Sequence, residues 1–135
     1  MDSYREALDL AETIGDATRQ ATCAFNLGHA YKNIAEIRDL DVAERWYRYD
    51  FELTPATDKL GRGKDLAQLG AVAYERFAEA RTAERPIEEL KRYLGEAARL
   101  YEEALAMMPP SAIVDHGIFH NQLGNIYEDA GATDR

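Results

Sequence analysis

Cysteine is almost absent from this sequence. Cys23 is the only one, so no disulfide can close within the chain, and nothing marks a disulfide-built secreted scaffold. Proline is scarce, with four copies, and glycine ordinary, with nine, which argues against a low-complexity or disordered tract. Long apolar runs are missing as well: no stretch approaches the roughly 18 residues of a membrane span. The start, Met1-Asp2-Ser3-Tyr4, lacks the basic-then-apolar order of a signal peptide. Basic charge is in the minority, with 16 Lys and Arg against 25 Asp and Glu and a net charge of -9. Nucleic-acid binding replaces phosphate counterions with clustered Lys and Arg, and an anionic bilayer repels a surface of its own sign. Neither is expected as a partner. A neutral or basic protein segment suits this surface, although the same charge also serves ordinary solvation. The expectation is a cytoplasmic chain whose residues 1–135 form one domain with a modest core.

What is present is helical periodicity throughout, with no alternation of β-branched residues that would mark a strand. Ser3 and Glu6 fit a capping box that opens a helix with the apolar stripe Tyr4, Ala7, Leu8 and Ala11, closed by Gly15. Asp16 is placed to cap a second helix, which runs to about Arg38. Asp41, with Glu44 three residues on, is placed to cap a third. That helix stops before Pro55, because a residue preceding proline disfavours the α region. A fourth lies between about Asp58 and Glu84. Pro86 suits the first turn of a fifth. There Ile87, Leu90, Leu94, Ala97, Tyr101, Ala104 and Met108 form a narrow seam, expected to pack against neighbours rather than form a free coiled coil. Pro109-Pro110 breaks the chain, Ser111 is placed to cap a sixth helix, and Gly131 ends it.

Two phrases recur. Asn26-Leu27-Gly28-His29-Ala30-Tyr31 is echoed by Gln122-Leu123-Gly124-Asn125-Ile126-Tyr127, and more weakly by Gln68-Leu69-Gly70-Ala71-Val72-Ala73. Ala97, Tyr101, Ala104, Leu105 and Pro109 echo Ala43, Tyr47, Asp50, Phe51 and Pro55, and Tyr4, Ala7 and Leu8 are a truncated third copy. One interval separates Leu69 from Leu123 and Pro55 from Pro109, so the two phrases alternate in register. Small residues such as Gly28 and Ala43 let helices approach, and Tyr31 and Tyr47 fill the gaps.

This pattern resembles the tetratricopeptide repeat family, whose unit of about 34 residues carries Leu-Gly, Tyr, Ala, an aromatic, Ala and Pro. The resemblance implies an all-α, right-handed solenoid of about six helices in antiparallel hairpins. Residues 1–15 correspond to an orphan second helix, 16–56 to a repeat, 57–110 to a repeat with long helices, and 111–135 to an orphan first helix. Ala73 stands where the pattern wants an aromatic, and Asp50 where it wants Ala. The surplus length near Phe77 to Arg92 implies that the fourth and fifth helices project beyond their neighbours. Leu27, Tyr31, Tyr47, Leu69, Tyr101, Leu105, Leu123 and Tyr127 are the expected core. The open-ended pattern implies a piece of a longer array, or ends that stack on another copy. The phrase from His120 to Tyr127 is similar to arrays in large bacterial signalling proteins.

In that family first helices line a concave groove that holds a protein or peptide, which implies a scaffold rather than an enzyme, without a cofactor. Carried over by position, the groove has three rows. They are Phe25, His29, Lys32 and Asn33; Lys64, Ala67, Ala71, Tyr74 and Glu75; and Asn121, Asn125, Glu128 and Asp129. Spacings of four, seven and eight put each row on one helix face independently of the family. Asn side chains both donate to and accept from a peptide backbone, Phe25 and Tyr74 offer apolar area, and Glu75, Glu128 and Asp129 favour a ligand with Lys or Arg. The alternatives are self-association through open apolar ends and a metal-dependent hydrolase. For the latter, His116 and His120 share a helix face beside Asp115 but lack an assignable third ligand, and His120 occupies a packing position of the repeat. Gly61-Arg62-Gly63-Lys64-Asp65 fails as a phosphate loop: no strand precedes it, and Asp65 stands where Ser or Thr belongs. Cys23 is expected to pack.

Overall fold

Packing in the described residues is between consecutive antiparallel helices. The structure is a computed structural model that describes residues 5–7, 9 and 17–134. The helices are α1 (Ala17–Asn33), α2 (Leu40–Leu53), α3 (Lys59–Thr82), α4 (Ile87–Met107) and α5 (Ile113–Asp134), with a 3-10 turn at Ala35–Ile37. Arg5, Glu6, Ala7 and Asp9 are also helical. The expected Ser3 cap, the Gly15 stop, the Asp16 cap and the stripe positions Tyr4, Leu8 and Ala11 lie outside the described residues. Among the described residues there is no strand, and no helix is long and apolar enough to cross a membrane.

Several boundaries differ from the sequence reading. α1 stops at Asn33, not near Arg38. The 3-10 turn that follows frees Arg38 to reach α3, where it pairs with Glu75 at 2.8 Å and Glu79 at 2.9 Å. The cap of α2 is Asp39, whose carboxylate accepts from the backbone N–H of Asp41 and of Val42, each at 3.1 Å. Asp41 and Glu44, the expected capping pair, instead both bind Arg76 on α3. Thr54 closes α2 just before Pro55, as expected. Asp58 caps α3 through the Gly61 N–H at 2.9 Å, and Pro86 sits at the N-cap of α4. α5 begins at Ile113, two residues after Ser111, and runs through Gly131 to Asp134. A helical glycine costs only about 1 kcal/mol. Core contact at Ala130 and the Lys91–Asp134 pair at 2.9 Å override that stop signal. α3 and α4 have 24 and 21 residues, against 17 in α1, 14 in α2 and 22 in α5.

The core runs from Leu40 in α2 to Ile126 in α5, and Cys23 and Leu27 form a smaller cluster under Tyr31, Trp46 and Tyr49. Leu27, Tyr47, Leu69, Tyr101 and Leu123 are buried as expected. The α4 seam is buried from Leu90 to Met108, while Ile87 at its head is exposed. Tyr31 and Leu105 are only half-buried. Tyr127 is 54% exposed, because its ring lies outside the core and its hydroxyl reaches Glu102 on α4.

The recurring glycines show what fills each hairpin. A Cβ on Gly28 would lie 2.8 Å from the Tyr47 ring, and one on Gly70 would lie 2.9 Å from the Tyr101 ring and 3.4 Å from the Ala97 carbonyl. Each ring is a knob from the following helix, seated where only hydrogen fits. Gly124, the third equivalent, meets nothing within 4 Å. Gly70→Ala is therefore expected to destabilise by about 1–3 kcal/mol through overpacking, despite the better helix propensity of Ala. Gly124→Ala is expected to stabilise by up to about 1 kcal/mol. Chemical denaturation of the pair measures the contrast, and equal effects would remove the knob-and-hole account.

Candidate functional site

Hydrogen bonds from residues of the expected rows link α1 to α3 and α3 to α5. Lys32 Nζ donates to Gln68 Oε1 at 2.7 Å, which joins α1 to α3. Tyr74 donates to Asp129, and Arg81 lies 3.6 Å from the same carboxylate, which joins α3 to α5. Burial and then the Asp129 carboxylate push the Tyr74 phenol up to about 12, so it keeps its proton as donor.

The rows differ from expectation in what they leave free. Lys32 is buried beneath the surface, with its ammonium 5.9 Å from the Tyr47 ring centroid. Burial lowers its pKa, against a countering pull from Glu75. His29 is half-buried, and its Nδ1 lies 2.8 Å from the Tyr47 hydroxyl. Burial followed by the Lys32 charge lowers the imidazole's pKa, and burial raises that of Tyr47, so both stay neutral near pH 7. Phe25 packs edge-on against His29, with centroids 4.3 Å apart. His29 and Lys32 thus build the floor rather than project from it. Glu75 and Asp129 are held by Arg38 and Arg81, which leaves Glu128 as the member of the acidic trio without an ion pair among the described residues. Asn33, Lys64, Asn121 and Asn125 remain exposed, Ala67 is buried and Ala71 half-buried.

A cavity of about 370 Å³ opens at the Phe25 and Lys64 end, between α1, the end of α2 and the start of α3. Ala21, Phe25, Leu53 and Pro55 give it apolar walls, and Asp58 and Lys64 also line it. Asp50 lines it too, although the residue is only 7% exposed. Behind Asp50 stands Asp65, fully buried, with no hydrogen bond to either carboxylate oxygen from an N–H or hydroxyl donor. Burial, a proton shared with Asp50 and the charges of Asp50 and Asp58 push Asp65 up to about 10. Burial also raises Asp50. Near pH 7 the pair therefore holds one proton and one negative charge.

No protein-family model, curated protein or solved structure matches this chain.

His116 and His120 do share a face of α5, with ring centroids 6.4 Å apart. His116 Nε2 lies 3.1 Å from the Pro109 carbonyl, and His120 is exposed rather than packed because α5 turns that residue away from α4. Among the described residues no three His, Cys, Asp or Glu side chains are grouped to hold a metal ion. Cys23 is buried in the smaller cluster. Gly61 to Asp65 are helical, and Gly63 is packed against Met108. Sequence reading missed the Asp50–Asp65 pair and Gln68. A signal existed for one member of the pair: Asp50 interrupts a position where the repeat pattern wants Ala. Nothing local said that the two positions meet.

Proposed function

We propose that this chain is a tetratricopeptide-like solenoid segment that holds a peptide or protein segment along α1, α3 and α5, as part of a larger scaffold. The observation that carries this reading is the lateral connection of the three rows, Lys32 to Gln68 and Tyr74 to Asp129. These links make one continuous surface with exposed amides at Asn33, Asn121 and Asn125. Asn amides suit an extended backbone, which offers both donors and acceptors. With Glu75 and Asp129 already paired, Glu128 is left to attract a basic residue, so steering by charge is modest and screened over about 8–10 Å.

The test is a peptide-library screen, followed by affinity measurement of the best binder. The combined Tyr74→Ala and Asn125→Ala variant is expected to lose roughly tenfold or more in affinity. Arg99→Ala, on the exposed side of α4, is expected to change it less than about twofold. Equal losses in the two variants would move the binding surface away from the groove.

A second reading, self-association, is favoured by the outer face of α5. Ile113 and Val114 are 77% and 74% exposed, Ile118 is 50% exposed, and Gly117 and Gly124 face open space. Such a face seats the knob of another helix. Light scattering over a concentration series separates the readings, since a strict monomer leaves only the groove.

A further inference from the structure

The Asp50 carboxylate is a buried charge without a counter-ion. No ion pair to Asp50 or Asp65 occurs among the described residues, and neither Asp65 oxygen receives an N–H or hydroxyl donor. A buried charge is ordinarily paired or neutralised, because desolvation costs several kcal/mol when nothing replaces water. Sharing a proton lets Asp65 be neutral, yet it leaves the charge on the member that reaches the cavity. The cavity beside it is of ligand size, at about 370 Å³, and is partly open to solvent. Phe25 supplies an aromatic wall there, and Leu53 and Pro55 supply aliphatic ones.

We propose that this cavity binds an alkylammonium group, its charge against the Asp50 carboxylate and its stem between Phe25, Leu53 and Pro55. Each part of the cavity has a matching part of that ligand. A carboxylate held dry gains more from a cation than an exposed one does, because the local dielectric is low. An alkyl stem gains from leaving water along the apolar walls. An aromatic edge or face near an ammonium adds to the attraction. A bare metal ion fits less well, since no three ligating side chains converge among the described residues. An anion is disfavoured by the Asp50 and Asp58 carboxylates in the lining. The site is separate from the row of amides and stands whether or not a peptide lies along the groove. Two sources share the chemistry: the side chain of a peptide lysine and a free amine.

The charged groups facing Asp50 set the pH dependence. They are Asp58 from the connection and Lys64 and Asp65 from α3. α1 contributes Phe25 and Asn26, which carry no charge. Binding needs ionised Asp50. Its pKa lies above the ordinary carboxylate range through burial, so affinity falls on acidification before an exposed aspartate would protonate.

The experiment titrates the intact chain with butylammonium chloride and, as a neutral control of like shape, with 1-butanol, following the Phe25 ring and backbone amides of α1–α3 by NMR. A probe this small reaches about millimolar affinity at best. Butylammonium is expected to bind at least roughly tenfold more tightly than butanol, a difference of one strong charge contact. Asp50→Asn is expected to abolish that preference, and Asp65→Asn, which mimics the protonated partner, to retain it. The comparison of probes on the unaltered chain stands even where a variant fails to fold. Equal binding of the two probes, or no shift near the cavity up to about 50 mM amine, overturns the proposal. The second result includes the case in which Lys64 folds over Asp50 and fills the site itself. Cadaverine against N-acetyl-lysine methylamide then assigns the source, the tighter of the two naming free amine or peptide side chain.

Discussion

Tyr47→Ala is expected to lower the free energy of unfolding by about 3–5 kcal/mol, the range for truncating a large buried aromatic. Tyr47 is fully buried, and its ring occupies the space that Gly28 leaves open. It also packs against Phe25 with centroids 5.8 Å apart, holds the His29 ring through its hydroxyl and lies beneath the Lys32 ammonium. Removing it opens a void and takes the hydrogen-bond partner from the half-buried His29. For a domain of ordinary stability, about 5–15 kcal/mol, that is a large part of the total. Tyr47→Phe keeps the ring and loses one hydrogen bond, so its cost is expected near 1 kcal/mol. Urea denaturation of the three proteins is the measurement. A loss below about 1 kcal/mol for the alanine variant would falsify the role given to this ring.

Asp65→Asn is expected to stabilise the chain above neutrality and to change little at pH 4. In the unfolded chain Asp65 releases its proton above about pH 3.9, the ordinary value for an aspartate. In the folded chain burial and the Asp50 partner hold that proton until about 10. The folded state therefore binds the extra proton across that window, and stability falls as pH rises through it. Asn keeps a group that can donate to Asp50 and has no proton to lose. Removing the burden of an ionisable group at a fully buried position is expected to gain about 1–3 kcal/mol at pH 8. Thermal and urea unfolding at pH 4, 6 and 8 test this. Parallel pH profiles for the two proteins would mean that the carboxyl pair does not share its proton as described.

The helical class and the order of hairpins were legible because they are local properties. The spacing of Leu90, Leu94, Ala97, Tyr101 and Ala104 needs no knowledge of any other segment, and all five are buried. The repeated Leu-Gly phrase likewise foretold the close approaches at Gly28 and Gly70. It misled at Tyr127, where the same phrase lies on a face that no described helix covers, so the ring stays exposed. The groove rows were legible as faces and not as accessible surfaces. The resemblance to the tetratricopeptide repeat implied that Lys32, Tyr74 and Asp129 share one side. It held no information on Gln68 drawing Lys32 down, or on Tyr74 and Arg81 occupying Asp129.

By itself the sequence determined that the chain is helical, where most turns fall, and which face of each helix is apolar, since these follow from residue spacing along one axis. Tertiary structure alone decided that α5 runs on through Gly131, that Arg76 takes both Asp41 and Glu44, and that Asp50 meets Asp65. Such meetings depend on how far one helix is shifted along its neighbour and at what angle they cross. Those quantities arise from the packing of both surfaces together, and neither segment carries them alone.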